Sequence, residues 1–544
     1  MLRLARPDVG TQQGSPTMIR RILSRMLLSL ACAAAVSATA SPAPTVVQVE
    51  AGRLQGAASN GVVAFKGIPF AAAPVGDLRW RPPQNVRPWS GVRPARAMGK
   101  DCLQGPIPGD PGLGTDLDED CLFLNVWRPA EGPAKQLPVM VWIYGGGLVN
   151  GGTQPEIYQG DQFARRGVVF VSLNYRLGRF GFFAFPALSA EHPAEPKGNY
   201  AYMDQIAALT WVKRNIAAFG GDPENVTVFG ESAGGFSVHT LIVSPLGRGL
   251  FQKAIVESGG GRDQLGAAPG LPAAEAIGMA FAKSQRIEGG DAAALAQLRA
   301  LPAEKVTGGL SMRTFMTMNP VTYSGPITDG RLVTGPISAT FRAGRQARVG
   351  IITGATSADL GLNFAPTLDA VLAPFGEHHA AALAAYDPQG TGNLAEIRRK
   401  IGRDQMMLEP ARFAAAAFAA QGLPAYEFRF DYVGDALKAR SPNGAPHASE
   451  IPFVFDKYGP PYIAMVLPAH AGEASPRDLA VARMIQSYWL NFAKTGDPNG
   501  PGLAHWPRYS AARDELLLFN ADGAAVGGPD PLKARMDLTA TTQK

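Results

Sequence analysis

One short segment, residues 225–235, constrains the fold more than any other part of the sequence. Residues 226–229 form an apolar, largely β-branched run typical of a buried strand, and residues 236–243 are typical of an apolar helix. Between them stands Gly-Glu-Ser-Ala-Gly at 230–234. Glycines on both sides of a serine let a strand turn sharply into a helix and expose the serine hydroxyl at the turn. The segment predicts an α/β fold with Ser232 as a candidate nucleophile.

A second apolar run, residues 137–144, ends in the three consecutive glycines Gly145, Gly146 and Gly147. Alone, such a triplet is also typical of a flexible turn. Acyl transfer builds negative charge on a carbonyl oxygen, and amides aimed at that oxygen are often the largest catalytic contribution. Because the triplet lies upstream of a candidate nucleophile, it predicts an oxyanion loop, with donors from the amides of Gly146, Gly147 and Ala233.

Several further blocks carry a resemblance to a known family. They are the stretches 67–80, 119–126, 174–178, 198–200 and 219–223. Together with the two segments above they resemble the type-B carboxylesterases, the branch of the α/β-hydrolase superfamily that includes the cholinesterases. The resemblance covers roughly residues 45–515.

This resemblance implies an α/β-hydrolase fold, in which helices flank a large, mostly parallel central sheet. It also implies hydrolysis of carboxylic esters on small molecules by a serine nucleophile and a triad. We expect one catalytic domain, 41–544, with helical cap insertions at about 262–345 and 362–446.

His447 is the expected base. In this superfamily the histidine follows the acid along the chain, and residues 443–455 are similar to the family's His-x-x-Glu segment before an aromatic run. Glu450 is expected to be a structural partner rather than a catalytic group. His505, beside Trp506, is the weaker alternative for the base.

Asp359 is the expected acid, and here the sequence departs from the family pattern. An apolar run at 349–354 predicts a strand, and family members usually carry glutamate five residues after its last glycine, where this chain has Asp359. Aspartate serves the same role in many hydrolases, but its shorter side chain requires its loop to come nearer to His447. A local turn formed by Asp359 is the alternative interpretation, and Asp329 fits a turn better.

Two polar residues are expected to support the triad without reacting. Glu231 precedes the nucleophile and is expected to lie beside the histidine. Ser258 follows a predicted strand, in a block that resembles the family's segment near the acid. No acid, base or nucleophile role is left for either residue.

Two rival functions start from the same residues. A catalytically inactive adhesion or binding module is one, but such relatives typically lose the serine, whereas all three candidate triad residues are present here. Cleavage of amides or transfer of acyl groups is the other, and it uses the same machinery.

The first forty residues resemble a targeting segment rather than part of the fold. Arg20, Arg21 and Arg25 precede a short apolar run at 26–36, and Ala-Thr-Ala at 38–40 fits a signal-peptidase site. We therefore expect cleavage after Ala40, a secreted or periplasmic protein, and no stable membrane span afterwards. Lipid attachment at Cys32 and twin-arginine export are the alternatives.

Charge and cysteines narrow the function further. The formal charge of +6 includes five arginines and one aspartate in residues 1–40, so the remaining chain carries +2, and no basic aromatic stripe suggests nucleic acid. Cys102 and Cys121 form an even pair in an exported chain, so a disulfide is expected. No motif for a metal or nucleotide is present, so no cofactor is expected. The sequence gives no indication of oligomeric state.

Two stretches bear on the substrate. The segment 103–120, between the cysteines, contains no Phe, Tyr or Trp, whereas cholinesterase-like members use aromatic residues there for cation–π contacts. Thr322 and Ser324 stand where members that take small acyl groups have bulky aromatic residues, although Tyr323 is adjacent. We expect neutral short- to medium-chain esters as substrates, including esters of bulky alcohols, with no preference for choline esters.

Overall fold

A computed structural model describes residue 10 and residues 44–105, 116–131, 136–263, 268–314, 322–466 and 473–543, without the side chains of 464–466. The expected signal segment and its cleavage site lie outside the described ranges, apart from Gly10. The strands are β1 Val46–Val49, β2 Gly52–Gln55, β3 Ala57–Ser59, β4 Val62–Pro69, β5 Val92–Pro94, β6 Asp101–Cys102, β7 Leu117–Asp118, β8 Phe123–Pro129, β9 Leu137–Ile143, β10 Val169–Leu173, β11 Phe182–Phe183, β12 Gly198–Asn199, β13 Gly221–Glu231, β14 Lys253–Glu257, β15 Gly350–Thr356, β16 Ala425–Phe430, β17 Glu515–Phe519 and β18 Ala525–Pro529.

An 11-stranded sheet organises the described residues, in the order β18-β17-β16-β15-β14-β13-β9-β10-β8-β4-β3. All neighbours from β10 to β17 are parallel, and the strands at both edges are antiparallel. The carboxyl ends of the parallel strands therefore meet at one edge, which is where open α/β sheets place their sites.

Helices cover both the sheet and its insertions. They are α1 Asp161–Arg165, α2 Gly178–Gly181, α3 Pro186–Glu191, α4 Tyr200–Asn215, α5 Ala233–Val243, α6 Leu271–Ser284, α7 Ala292–Arg299, α8 Ala303–Thr307, α9 Ile337–Arg342, α10 Leu368–Leu372, α11 His379–Tyr386, α12 Leu394–Arg403, α13 Glu409–Ala420, α14 Ile451–Val454, α15 Pro460–Val466, α16 Pro476–Thr495 and α17 Lys533–Thr541. A π-helical turn, Asp404–Leu408, joins α12 to α13. Single 3₁₀ turns lie at Gly76–Leu78, Glu156–Tyr158, Ile216–Phe219, Pro245–Gly247, Ala373–His378 and Asp435–Arg440.

The predicted strand, turn and helix around Ser232 are present and extend further than the apolar runs alone. β13 ends at Glu231 and α5 begins at Ala233, so Ser232 is the only residue between them. The α5 helix packs on β13 and β14, and its side chains are almost all buried. Trp142 of β9 packs against Phe229 at 4.9 Å and Phe455 at 5.0 Å between ring centroids, which anchors the centre of the core.

The second expected insertion, 362–446, contains more than a cap. Its first part holds α10 to α12, but β16 and the α13 helix that packs on it belong to the sheet layer. The β16 sequence alternates apolar and charged residues, as in a half-exposed strand, yet every residue of β16 is buried. β16 lies inside the sheet between β15 and β17, and the buried charge of Arg429 is compensated by an ion pair with Asp530, Nη1 to Oδ1 at 2.6 Å.

The predicted disulfide between Cys102 and Cys121 is present. β6, which ends at Cys102, pairs with β7 and closes the base of the loop between the two cysteines, whose residues 106–115 are not described. No helix among the described residues is long and apolar enough to cross a membrane.

Candidate active site

Ser232 lies in a sharp turn between β13 and α5, with its backbone in an unusual conformation. It has φ 54° and ψ −124°, a conformation that costs a non-glycine residue about 1–3 kcal/mol and is typical of functional sites. Its N–H donates to the Glu257 carbonyl at 2.9 Å, and its own carbonyl accepts from the Phe236 N–H at 2.9 Å. The backbone therefore fixes the serine from both sides while its side chain is only half-buried.

The glycines around Ser232 are required by packing rather than by flexibility. A Cβ on Gly234 would lie 2.0 Å from the Ile143 carbonyl oxygen, and one on Gly230 would lie 2.6 Å from that same atom. Real Cβ atoms do not approach a backbone oxygen so closely, so only glycine fits at either position.

The triple glycine lies against the serine. A Cβ on Gly145 would be 3.0 Å from the Ser232 Cβ, and Gly146 and Gly147 both have positive φ, 98° and 64°. Neither these two amides nor that of Ala233 donates to an acceptor in the described part of the chain. For Ala233 the reason is that the first turn of a helix leaves its amides free and favours negative charge there. The amides of Gly146, Gly147 and Ala233 therefore remain available to an acceptor beside Ser232.

Gln104 holds the far end of the glycine loop. Its side chain accepts from the Gly151 N–H at 2.9 Å and donates to the Gly151 carbonyl at 2.6 Å. The Asn150 amide group also donates to Gln104, at 3.1 Å, and the Asn150 N–H donates to the Gly146 carbonyl at 2.9 Å. The segment beside Cys102 thus braces the loop that carries Gly146.

Asp359 and His447 are in direct contact. Asp359 Oδ1 lies 2.6 Å from His447 Nδ1, and the Asp359 side chain is buried. Asp359 also accepts from the Ser258 hydroxyl at 2.6 Å and from the N–H groups of Thr356 at 3.0 Å and Leu360 at 2.7 Å. Part of the alternative interpretation, a local turn at Asp359, is therefore also present.

These contacts decide the ionisation of the pair. Burial opposes the charge of Asp359. The charge of His447 and the hydrogen bonds from His447, Ser258 and Leu360 outweigh burial and lower the pKa of Asp359. For His447, burial favours the neutral ring, yet the charges of Glu231 and Asp359 outweigh burial and raise its pKa. The pair can therefore stabilise an imidazolium once a proton arrives.

The other imidazole nitrogen faces the nucleophile's neighbour. His447 Nε2 lies 3.1 Å from Oε1 of Glu231, the residue directly before Ser232, without hydrogen-bond geometry. Nε2 has no hydrogen-bond partner among the described residues. The expected supporting residues thus contact the pair from two sides, Glu231 at His447 and Ser258 at Asp359.

Two further carboxyl groups belong to this site, and the sequence reasoning gave no role at the site to Glu257. Glu257 is the register neighbour of Glu231 across β13 and β14, and its Oε1 accepts from the Trp489 indole N–H at 2.7 Å. Glu450 Oε1 lies 3.5 Å from the Ser258 hydroxyl. Burial raises the pKa of Glu231, Glu257 and Glu450 to about 8 each. The position of Glu257 at a strand end beside Glu231 was the available signal.

The weaker candidates lie elsewhere. Asp329 Oδ1 accepts from the N–H groups of Arg331, Leu332 and Val333 in a turn, and its Oδ2 accepts from Asn199. His505 is exposed. In the described ranges no group of three or more His, Cys, Asp or Glu side chains could hold a metal ion.

The parallel sheet, the serine turn and the paired acid and histidine define an α/β-hydrolase, and comparisons with known proteins agree. Residues 43–374 and 383–530 match the carboxylesterase family. The chain therefore belongs to the carboxylesterase family and is a carboxylic ester hydrolase, as the sequence predicted.

Individual relatives cover nearly the whole chain. A fumonisin B1 esterase of Sphingopyxis macrogoltabida is 34% identical over 541 residues, which cover 95% of this chain and 96% of that protein. A para-nitrobenzyl esterase of Bacillus subtilis is 34% identical over 505 residues, 90% of this chain and 97% of that protein. A solved PNB esterase structure matches with a TM-score of 0.76 and 30% identity, over 91% of this chain and 99% of that one. The predicted fold class is thereby confirmed.

Proposed function

We propose that the protein hydrolyses carboxylic esters with Ser232 as nucleophile, His447 as base and Asp359 as the acid that orients His447. The observation that carries the proposal is the 2.6 Å contact between Asp359 and His447 beside a serine held at positive φ. Such a pairing fixes the imidazole tautomer, so that Nε2 is free to accept a proton.

The reaction proceeds in two balanced steps. The Ser232 oxygen attacks the ester carbonyl while His447 Nε2 takes the serine proton and then gives it to the departing alcohol. Water attacks the acyl-enzyme next, with His447 taking its proton and returning it to Ser232 as the acid leaves. The amides of Gly146, Gly147 and Ala233 bind the oxyanion in both steps.

A covalent label tests the nucleophile. A fluorophosphonate is expected to modify wild-type enzyme at Ser232, and Ser232→Ala is expected to fold normally and lose nearly all ester turnover. Ser189→Ala is the control, because Ser189 lies on α3 and bonds Glu275. Labelling at another residue, or substantial turnover by Ser232→Ala, would overturn the assignment.

For the substrate, we infer neutral short- to medium-chain esters. The absence of aromatic residues from 103–120 removes the groups that bind quaternary ammonium ions, and the triple glycine leaves space near the carbonyl for bulky alcohols. The relatives named for para-nitrobenzyl and fumonisin B1 esters are consistent with varied alcohol groups.

Paired substrates test this inference. The specificity constant for p-nitrophenyl butyrate is expected to exceed that for butyrylthiocholine, after correction for leaving-group reactivity. Tetramethylammonium is expected not to inhibit at micromolar concentration, which corresponds to about −8 kcal/mol of binding. A preference for the choline ester would contradict the proposal.

We also propose export. The targeting segment and the disulfide both suit an oxidising compartment. Intact-mass analysis of the mature protein is expected to show a start near Ser41 and no free thiol. Retention of a lipidated Cys32 would contradict cleavage after Ala40.

A further inference from the structure

The contact between Asp359 and His447 depends on how the two loops that carry these residues are held together. The acid loop, residues 357–361, follows β15, and the histidine loop, residues 443–448, precedes α14. Aspartate is one methylene shorter than the glutamate that the family resemblance leads us to expect, about 1.5 Å along the chain. The backbone must supply the difference, because the two side chains are nevertheless 2.6 Å apart.

The two loops touch directly. The Ala358 N–H donates to the Ala445 carbonyl at 2.8 Å, and Ala358 forms a parallel bridge with Pro446. Asp359 and His447 are the next residue on each loop. A shift of this bridge would therefore move the acid and the base relative to one another.

Ser357 connects the two loops to the sheet with every polar group it has. Its N–H donates to the Phe430 carbonyl at 2.8 Å, which continues the pairing of β15 with β16. Its hydroxyl donates to the Asp431 carboxylate and accepts from the Ala445 N–H at 3.0 Å. Its carbonyl accepts from the Arg403 guanidinium. Among the described residues of the acid loop, only Ser357 forms hydrogen bonds to both the histidine loop and β16.

Glycines admit this packing on both sides. Gly444 has φ 108°, and a Cβ there would lie 2.4 Å from the Ser357 hydroxyl oxygen. A Cβ on Gly361 would lie 2.1 Å from the Arg403 backbone nitrogen. The acid loop is thus packed between the histidine loop and the end of α12, with no room for a Cβ at either glycine.

We propose that Ser357, held by Arg403, is a positioning residue that sets the distance between Asp359 and His447. This role rests on the proposed triad, because Ser357 acts only through Asp359. It touches no reacting atom. Loss of its hydroxyl leaves Asp431 and the Ala445 N–H without their shared partner, so the histidine loop relaxes away from the acid loop.

The test compares Ser357→Ala with Ser189→Ala, which also removes a hydroxyl that donates to a carboxylate on another element. For Ser357→Ala, kcat is expected to fall roughly tenfold to hundredfold with KM little changed, since small misplacements of catalytic groups have effects of that size. Ser189→Ala is expected to keep wild-type kcat. Equal kcat in wild type and Ser357→Ala would overturn the proposal.

A second measurement separates positioning from loss of folded protein. His447 is surrounded by Asp359, Glu231 and Glu450, whose charges favour its protonated form. If Asp359 moves away, the acidic limb of the pH profile for fluorophosphonate labelling shifts to lower pH, while the plateau rate falls. A purely structural defect would reduce the amount of labelled protein without moving the limb, and that result would also overturn the proposal.

Arg403→Lys tests the same proposal independently, in case Ser357→Ala does not fold. It removes the guanidinium bond to the Ser357 carbonyl and keeps a positive charge beside Asp404, which Arg403 contacts at 2.7 Å. The same changes are expected at smaller size. If Ser232 is never labelled, the proposed function fails. If Ser232 is labelled and Asp359→Asn is slow, but both positioning variants match wild type, only the present inference fails.

Discussion

The two halves of the site are built in different ways. The nucleophile half, Ser232 with the glycines at 145–147 and 230–234, is fixed by backbone packed against backbone. The acid–base half, Asp359 and His447, depends on side-chain hydrogen bonds from residues distant in sequence in addition to the backbone bond between its two loops. We therefore expect the first half to tolerate no added atom, and the second to tolerate changes of the acid side chain that preserve its spacing. The departure from the family pattern, aspartate for glutamate, lies in the second half.

The largest expected effect comes from the acid–base half. Asp359→Asn is expected to lower kcat by about 10⁴, because an amide no longer fixes the imidazole tautomer or stabilises its charge. The thermal unfolding temperature should change little in comparison, since the backbone around Ser232 is untouched. Stopped-flow ester hydrolysis and a thermal scan provide the two measurements.

Asp329→Asn is the matched control for that variant. Asp329 is a turn residue that accepts three backbone N–H groups, so its variant should retain catalysis in the folded fraction. A catalytically inactive Asp329→Asn beside an active Asp359→Asn would reverse the assignment of the acid.

The nucleophile half is expected to fail differently. Gly234→Ala should lower both activity and stability, because the new Cβ would lie 2.0 Å from the Ile143 oxygen and must displace backbone. Overpacking typically costs about 1–3 kcal/mol, and we expect the upper end here because the atom in the way is backbone. Gly528→Ala is the control, because a Cβ there meets nothing within 4 Å. A Gly234→Ala enzyme as stable as wild type would show that this half is not built on backbone contact.

The same contrast explains what could be predicted from the sequence. The serine turn and the glycine loop are local patterns, so residues 225–243 were sufficient to predict strand, turn and helix. Ser357 and Ala445 are 88 residues apart, and Glu257 meets Trp489 across 232 residues. No local pattern reports such contacts. The pairing of Asp359 with His447 was predicted only through chain order and family resemblance. The expected insertion 362–446 included β16, whose sheet neighbours β15 and β17 lie far from it in sequence.

Glu231 joins the two halves, and its charge is expected to set a pH limit. It precedes Ser232 and lies 3.1 Å from His447 Nε2, where its charge raises the pKa of the imidazole. The pKa of His447 is raised to about 10 and that of Glu231 to about 8, so Glu231 is ionised where His447 titrates. Since catalysis requires the neutral ring, Glu231→Gln should shift the acidic limb of kcat/KM to lower pH, by roughly half to one unit. Glu224→Gln, at an exposed position, should leave the limb unchanged. A limb that moves to higher pH would show that Glu231 does not act on His447 through its charge.

The smallest expected effect is on stability, from the carboxyl group that the mechanism does not use. Burial raises the pKa of Glu257 from 4.5 to about 8 in the folded protein, so the folded state binds a proton that the unfolded state has released. The stability that protonated Glu257 contributes is therefore highest below pH 4.5 and is lost as the pH rises from 4.5 through about 8. Glu257→Gln cannot ionise, so the Tm of the variant minus that of wild type should be larger at pH 9 than at pH 6. We expect about 1 kcal/mol, because Glu231 and Glu450 share the same protons, although one pKa unit alone corresponds to about 1.4 kcal/mol. Glu377→Gln, on a side chain that is 90% exposed, is the control. An unchanged difference in Tm at the two pH values would mean that Glu257 is ionised in the folded protein throughout this range.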